Sequence, residues 1–336
     1  MNNEVIKRLK NAGLLSDHDH DLGFVSTGSY ALNKIISGDY MKGIPIGMIT
    51  QFHGEASTAK TVFATHILKE AQSKGFYSML VDSENAYNPT FARQLGVDPE
   101  RLIYSTAETL EDSFQVMEDT ILSIREADPD TPIVIAYDSI AVSPSKAEYE
   151  AESYDGNNMQ GAIRAKSTGA CLRKINPLMR KHKVALIIIN QIRSKVGVLY
   201  GSPETMAAGG KSLDYYLGVN LKCISNKTAD LVRDDRKQVI GITGTVRNTK
   251  NKVSIPFREC DFELMYDEGL NSCAGMLKQL VLDNIVDQSG AWYSWDGMKF
   301  QRKEFDNSFP TGEKFAGLRK AIGVTTQTLV KKELKA

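Results

Sequence analysis

An apolar run at residues 47–52 leads directly into His53, Gly54, Glu55, Ala56, Ser57, Thr58, Ala59, Lys60 and Thr61, and a helix-patterned segment follows at 62–73. A buried strand, a loop of small residues, a Lys-Thr pair and a helix are the layout of a phosphate-binding loop. The N–H groups of such a loop and the positive end of its helix converge on one spot, where a polyphosphate binds. On this reading Gly54 through Thr61 cradle a nucleotide such as ATP. Lys60 neutralises its terminal phosphates, and the Thr61 hydroxyl holds Mg²⁺. One position departs from the pattern, which has Gly before the Lys where this chain has Ala59. If that position needs a positive φ, Ala costs about 1–2 kcal/mol relative to Gly, which leaves binding intact and alters turnover.

The rest of the chain supplies the sheet that such a loop requires. Strand patterns at 76–82, 102–105, 132–138 and 184–191 alternate with helix patterns at 30–37, 88–95, 110–126 and 161–182, the last interrupted by Pro177. Strands that are apolar throughout, separated by helices, predict an α/β fold: a mostly parallel twisted sheet flanked by helices on both faces. Beyond Leu213, the segments 219–225, 238–248 and 257–266 read as antiparallel meander strands. A helix is expected at 276–286, a hairpin around Asp296-Gly297, and helix again from 311 onward. Residues 1–15 carry a short amphipathic helix, followed by a polar linker at 16–21. Such a helix cannot bury its face alone, so it docks either on its own core or on a neighbouring subunit.

Composition excludes several classes. The 336 residues carry a formal net charge of zero, so any nucleic-acid contact must come from local patches. The four cysteines, Cys171, Cys223, Cys260 and Cys273, lie far apart without CxxC spacing, which fits reduced thiols rather than a zinc site or disulfide framework. No apolar run is long enough to span a membrane and no apolar signal core opens the chain, so a cytoplasmic location is expected.

Three strand ends add chemistry to the loop. Residues 133–138 place Asp138 at the carboxyl edge of a buried strand, where ligands of open α/β sheets bind, and Asp138 would orient Mg²⁺ or its water beside Thr61. Glu84 follows the neighbouring strand and is a candidate general base, with Asp82 either catalytic or structural. Gln191 ends a third strand and would sense the γ-phosphate ahead of a small-residue-rich loop at 193–210. Residues 156–203 contain no Asp or Glu but nine Lys or Arg, including Arg164, Arg173, Lys174, Lys183, Arg193 and Lys195. That stretch is either a surface for phosphate backbones or a solvated basic helix face.

These residues and their neighbours resemble the RecA-type homologous recombinases. The matching blocks are 25–29, 54–61, 82–84 with Pro89, 91–98, 138–141, 190–193, 197–205, 209–210, 250–252 and 290–294. The resemblance implies a RecA-like P-loop ATPase core at 25–267, preceded by an N-terminal polymerisation helix and linker at 1–24 and followed by a small α/β C-terminal domain at 268–336. It implies ATP and Mg²⁺ as cofactors, and a helical filament of many copies on single-stranded DNA. That filament would pair with homologous duplex DNA and exchange strands, aided by single-strand-binding and loading proteins. By position, Glu84 matches the family's catalytic glutamate and Gln191 its γ-phosphate sensor, while Asn88 and Phe91 match contacts to adenine. Residues 154–163 and 193–210 match two DNA-binding loops, with Met159 and Val196 at the places of side chains inserted between bases and Gly209 and Gly210 closing the second loop. Lys250 and Lys252 match lysines that reach ATP on the adjacent subunit.

The chain also departs from the family. Asp214, Tyr215 and Asn220 stand where Lys, Phe and Arg are usual at the subunit interface, and the tail at 329–336 is basic rather than acidic. This divergence resembles a virus-encoded member, which would act in the host-cell cytoplasm. Two competing readings are an ATP-binding accessory protein with little hydrolysis, favoured by Ala59, and a ring-shaped motor.

Overall fold

The computed structural model describes residues 4–5, 7–8, 22–151, 158–193, 206–207, 210–225 and 230–324. Most of the helix expected at 1–15, much of both expected DNA loops and the basic tail fall outside the described residues. Glu4, Val5, Lys7 and Arg8 are helical.

The strands in chain order are β1 (Phe24–Val25), β2 (Ile44–Pro45), β3 (Ile49–Gly54), β4 (Tyr77–Asp82), β5 (Leu102–Ser105), β6 (Ile133–Asp138), β7 (Val184–Arg193) and β8 (Met206–Ala207). They continue with β9 (Leu217–Ile224), β10 (Leu231–Arg233), β11 (Val239–Asn251), β12 (Glu259–Met265) and β13 (Gly269–Leu270). The last three are β14 (Asp287–Ser289), β15 (Trp292–Trp295) and β16 (Met298–Gln301). The large sheet runs in the order β13-β12-β11-β9-β3-β7-β6-β4-β5. From β9 to β5 all pairings are parallel, and from β9 to β13 all are antiparallel.

Alternation along the buried strands divides the core into two layers. On one face Val134, Ala136, Ala185 and Ile187 meet Phe63, Ile67 and Ala71 of the helix Lys60–Ser73. On the other, Ile133, Ile135, Leu186 and Ile188 meet Phe114, Met117 and Ile121 of the helix Leu110–Ala127, and Leu172, Ile175 and Met179 of the helix Asn158–Lys181. Each such side chain contributes about 1.5–3 kcal/mol on full burial, so the central strands are fixed from both sides. A third cluster joins Phe300, Phe305, Phe309 and Phe315 of the C-terminal unit to Tyr30 and Tyr40. Asp283 fastens that unit to the core by accepting from the Tyr40 hydroxyl at 2.8 Å and pairing with Lys34 at 2.9 Å.

One segment differs in direction from the sequence expectation. Residues 217–224 do not belong only to an antiparallel meander: β9 inserts between β3 and β11 and pairs parallel with β3, Gln51 opposite Asn220. The helix Gly210–Tyr216 carries the chain back to the start of the sheet before β9 begins. Strand composition specifies burial, not direction, so this crossover left no local signal. The helix from Met276 also stops early, at Leu282, because Asn284 takes φ 55° and turns the chain. The expected helix from 311 is a short 3₁₀ turn, Glu313–Phe315, and a helix at Ala316–Ala321. The hairpin between β15 and β16 turns on Asp296 at φ 48° and Gly297 at φ 75°, the left-handed pair that a two-residue hairpin demands.

Candidate nucleotide site

The parallel strands β3, β4, β6 and β7 end at one edge of the sheet, and side chains at or just beyond their ends face one cavity. Its volume is 450 Å³, and its lining includes residues 56–62, Glu84, Asp138 and Gln191. Gly54 opens the loop because nothing larger fits: a Cβ there would lie 2.4 Å from the Cys223 carbonyl oxygen. Ser57 and Ala59 both have φ 64°, and Ala59 is the residue from which the helix Lys60–Ser73 starts. Ala59 therefore holds the left-handed conformation that ordinarily selects Gly, at a cost of about 1–2 kcal/mol. No side chain caps this helix, so its first N–H groups are left to the loop and its ligand.

Lys60 is 6% exposed and donates from Nζ to the Glu55 carbonyl oxygen at 2.6 Å. That contact curls the loop around the ammonium. Thr61 donates from Oγ1 to Asp138 Oδ2 at 2.7 Å. Burial pushes the Asp138 carboxyl up to about 6, opposed by the Thr61 hydrogen bond and reinforced by the charges of Glu84 and Asp82. A buried carboxylate held above its ordinary range, with a hydroxyl beside it, is a donor pair that a divalent cation satisfies, so Thr61 and Asp138 fit Mg²⁺. Glu84 is exposed, and its Oε1 accepts from Ser139 Oγ at 2.7 Å and from Gln191 Nε2 at 3.1 Å.

Asp82 has a different surrounding. Its Oδ1 accepts from the Glu84 N–H at 3.1 Å, and its Oδ2 accepts from the Tyr87 N–H at 2.9 Å and the Tyr104 hydroxyl at 3.2 Å. It builds the turn that presents Glu84. Asn88 caps the helix Pro89–Gln94 by accepting from the Thr90 and Phe91 N–H groups. With Phe91 it lines a second, smaller pocket that reaches Thr61 and Asp138.

The positive stretch divides. Arg164 donates to the Ile140 and Ala141 carbonyls at 2.8 and 2.7 Å. Lys174 pairs with Glu118 at 2.6 Å and Lys183 with Asp130 at 2.7 Å. Lys166 and Arg173 are exposed. Gly210 begins a helix, whereas Lys195, Val196 and Gly209 and the side chains of Met159 and Arg193 lie outside the described residues. Lys250 and Lys252 do not line the cavity; Lys250 stands opposite Asn220, set back from the loop end of the sheet, and its Nζ contacts the Asp214 carbonyl. Tyr215 is 76% exposed. Asn220 turns inward, with Oδ1 3.0 Å from Gln51 Nε2 and 2.8 Å from His53 Nδ1. Burial pulls that imidazole down to about 4, so it is neutral.

Two features of the site escaped the sequence. Ile242, Leu264 and Tyr266 form the far wall of the cavity, brought there by the antiparallel edge of the sheet. Ser139 contacts Glu84 across 55 residues of chain, with no local pattern to announce the pairing. Among the described residues no helix is long and apolar enough to cross a membrane.

Comparison with known proteins agrees with this architecture. The RecA N-terminal domain family matches residues 7–271. A Protein RecA of Desulforapulum autotrophicum is 33% identical over 311 residues, covering 90% of this chain and 85% of its own length. One of Chlorobaculum tepidum is 36% identical over 271 residues, covering 81% and 73%. One of Lactobacillus delbrueckii subsp. bulgaricus is 33% identical over 322 residues, covering 94% and 83%. With a sheet that ends in a phosphate loop and a family match over most of its length, this chain belongs to the RecA family.

Proposed function

We propose that this chain is an ATP-dependent homologous recombinase that assembles as a helical filament on single-stranded DNA and exchanges strands with homologous duplex DNA. The observation that carries the reading is the convergence of Lys60, Thr61, Asp138, Glu84 and Gln191 on one cavity at the carboxyl edge of the sheet. The relatives' name, Protein RecA, supports it.

In this reading the N–H groups at the start of the helix Lys60–Ser73 receive the phosphates, and Lys60 carries the charge that faces the terminal ones. Thr61 and Asp138 hold Mg²⁺, which when bound neutralises phosphate charge. Glu84 accepts the proton of the attacking water through the carboxylate oxygen that Ser139 and Gln191 leave open. Gln191 lies between that carboxylate and the loop beyond β7, so a nucleotide that draws it away from Glu84 shifts the root of the loop expected to bind DNA. Asn88 and Phe91 serve the adenine. Lys250 and Lys252, absent from their own chain's cavity, serve ATP bound to an adjacent copy. Arg173, Arg193 and Lys195, with Met159, Val196 and the glycines at 209 and 210, serve the DNA.

Ala59 supports a second reading, a nucleotide-binding accessory protein with little hydrolysis, because its left-handed backbone strains the phosphate loop. Strand exchange between a circular single strand and a linear duplex, with negative-stain imaging of the same mixture, separates the two. The recombinase gives joint molecules and helical filaments in the presence of ATP. Short rings or bare DNA without joint molecules overturn the reading.

A further inference from the structure

We infer that Ser139 and Arg164 form a positioning pair for Glu84, linking the helix in which the first expected DNA loop ends to the carboxylate that activates water. The inference rests on the general-base reading of Glu84 given above.

The turn that follows β6 is held on several sides. Ser139 is fully buried, and its hydroxyl is spent on Glu84 Oε1 at 2.7 Å. Glu84 is itself exposed, so this hydrogen bond and the one from Gln191 are what restrict its rotamer. The next two carbonyls, of Ile140 and Ala141, both accept from Arg164 Nη2. A guanidinium donating to two successive carbonyls fixes the turn more firmly than one neutral hydrogen bond, because each contact is charge-assisted. Ser143 closes the turn, its hydroxyl oxygen lying 3.2 Å from the Ser139 carbonyl oxygen and 2.9 Å from Ser83 Oγ, so the loops after β4 and β6 are also joined directly.

Arg164 lies on the helix Asn158–Lys181, early in its course. A displacement of that end of the helix moves the guanidinium, the turn at 139–141 and the Ser139 hydroxyl together. The route from DNA contact to hydrolysis is then short, and it is separate from the route through Gln191. It also means that the charge of Arg164 faces the protein's own carbonyls instead of a phosphate, unlike the expectation drawn from the basic stretch. Each side chain acts through another and touches no reacting atom.

The test uses the full chain with single-stranded DNA, ATP and Mg²⁺. Ser139→Ala is expected to lower kcat at least tenfold with KM for ATP unchanged. Arg164→Met is expected to lower kcat several-fold while the salt slope of single-strand binding stays that of the parent. Binding of a non-hydrolysable ATP analogue reports that each variant is folded, and Arg164→Lys, which keeps the charge on a single donor nitrogen, recovers part of the rate. A parental kcat in Ser139→Ala, or a slope reduced by about one unit in Arg164→Met with kcat unchanged, overturns the inference. If Glu84→Gln itself hydrolyses at the parental rate, the general-base reading falls first and this inference with it. If Glu84→Gln is inactive and Ser139→Ala is not impaired, only the positioning role falls.

Discussion

Asp82 and Asp138 end adjacent parallel strands and stand directly opposite each other in the sheet register. Both are buried, and each follows an apolar strand. Their partners make them different groups. Asp82 accepts from two backbone N–H groups and a tyrosine hydroxyl, all protein atoms of its own turn and the strand beside it. Asp138 accepts from Thr61 and otherwise faces the cavity. A carboxylate whose acceptor capacity the fold consumes is architecture, whereas one left short of donors is a place for a cation. Sequence position cannot separate the two, because the deciding donors come from Tyr87, Tyr104 and Thr61, which the fold assembles.

The largest effect expected from this contrast is on chemistry. Asp138→Asn should reduce Mg²⁺-dependent ATP hydrolysis at least a hundredfold, while Asp82→Asn should leave hydrolysis detectable at a readily measured rate. Equal losses in the two variants, measured at saturating Mg²⁺, would erase the distinction.

The second effect is on stability and has a definite sign. The folded Asp138 carboxyl keeps its proton up to about 6, above its ordinary 3.8, so nucleotide-free stability falls as pH rises from about 4 through about 6. Asp138→Asn removes that loss and should stabilise the nucleotide-free protein at pH 7.5 by on the order of 3 kcal/mol, with no gain below pH 4. Asp82→Asn should instead destabilise by about 1–3 kcal/mol, since its acceptors become poorer. Thermal melts of both variants across pH 4–8 read the comparison.

A smaller effect concerns the phosphate loop that follows β3. Ala59→Gly relieves a left-handed alanine, so it should stabilise the nucleotide-free protein by up to about 1 kcal/mol and raise the hydrolysis rate, with strand pairing retained. Loss of activity in this variant would mean that the methyl group is needed where it stands. The smallest effect is expected at Lys174 and Lys183, whose ammonium groups pair with Glu118 and Asp130. Lys183→Ala should leave the salt slope of DNA binding within error of the parent, whereas Arg173→Ala, at an exposed position, should reduce it by about one unit.

The phosphate loop, the Asp138 strand end and the central parallel strands were legible because each depends on contiguous residues: small residues before Lys-Thr, and unbroken apolar runs. The direction of β9 was not, because the same eight residues suit either direction until β3 and β11 flank them. Arg164 looked like one more cation in an acid-free stretch, and only the turn at Ile140 and Ala141 gives it another task. Asn88 was read for its place near a nucleotide, and the structure adds that its carboxamide oxygen caps a helix.

The proposed function requires that this cavity hydrolyse ATP under the control of single-stranded DNA. Phosphate release by the full chain, with and without single-stranded DNA and beside Lys60→Ala and Glu84→Gln, tests it most directly. Hydrolysis that DNA stimulates is expected in the parent chain, and both substitutions are expected to abolish it. Hydrolysis that DNA does not change, or that survives the loss of Lys60, would contradict it.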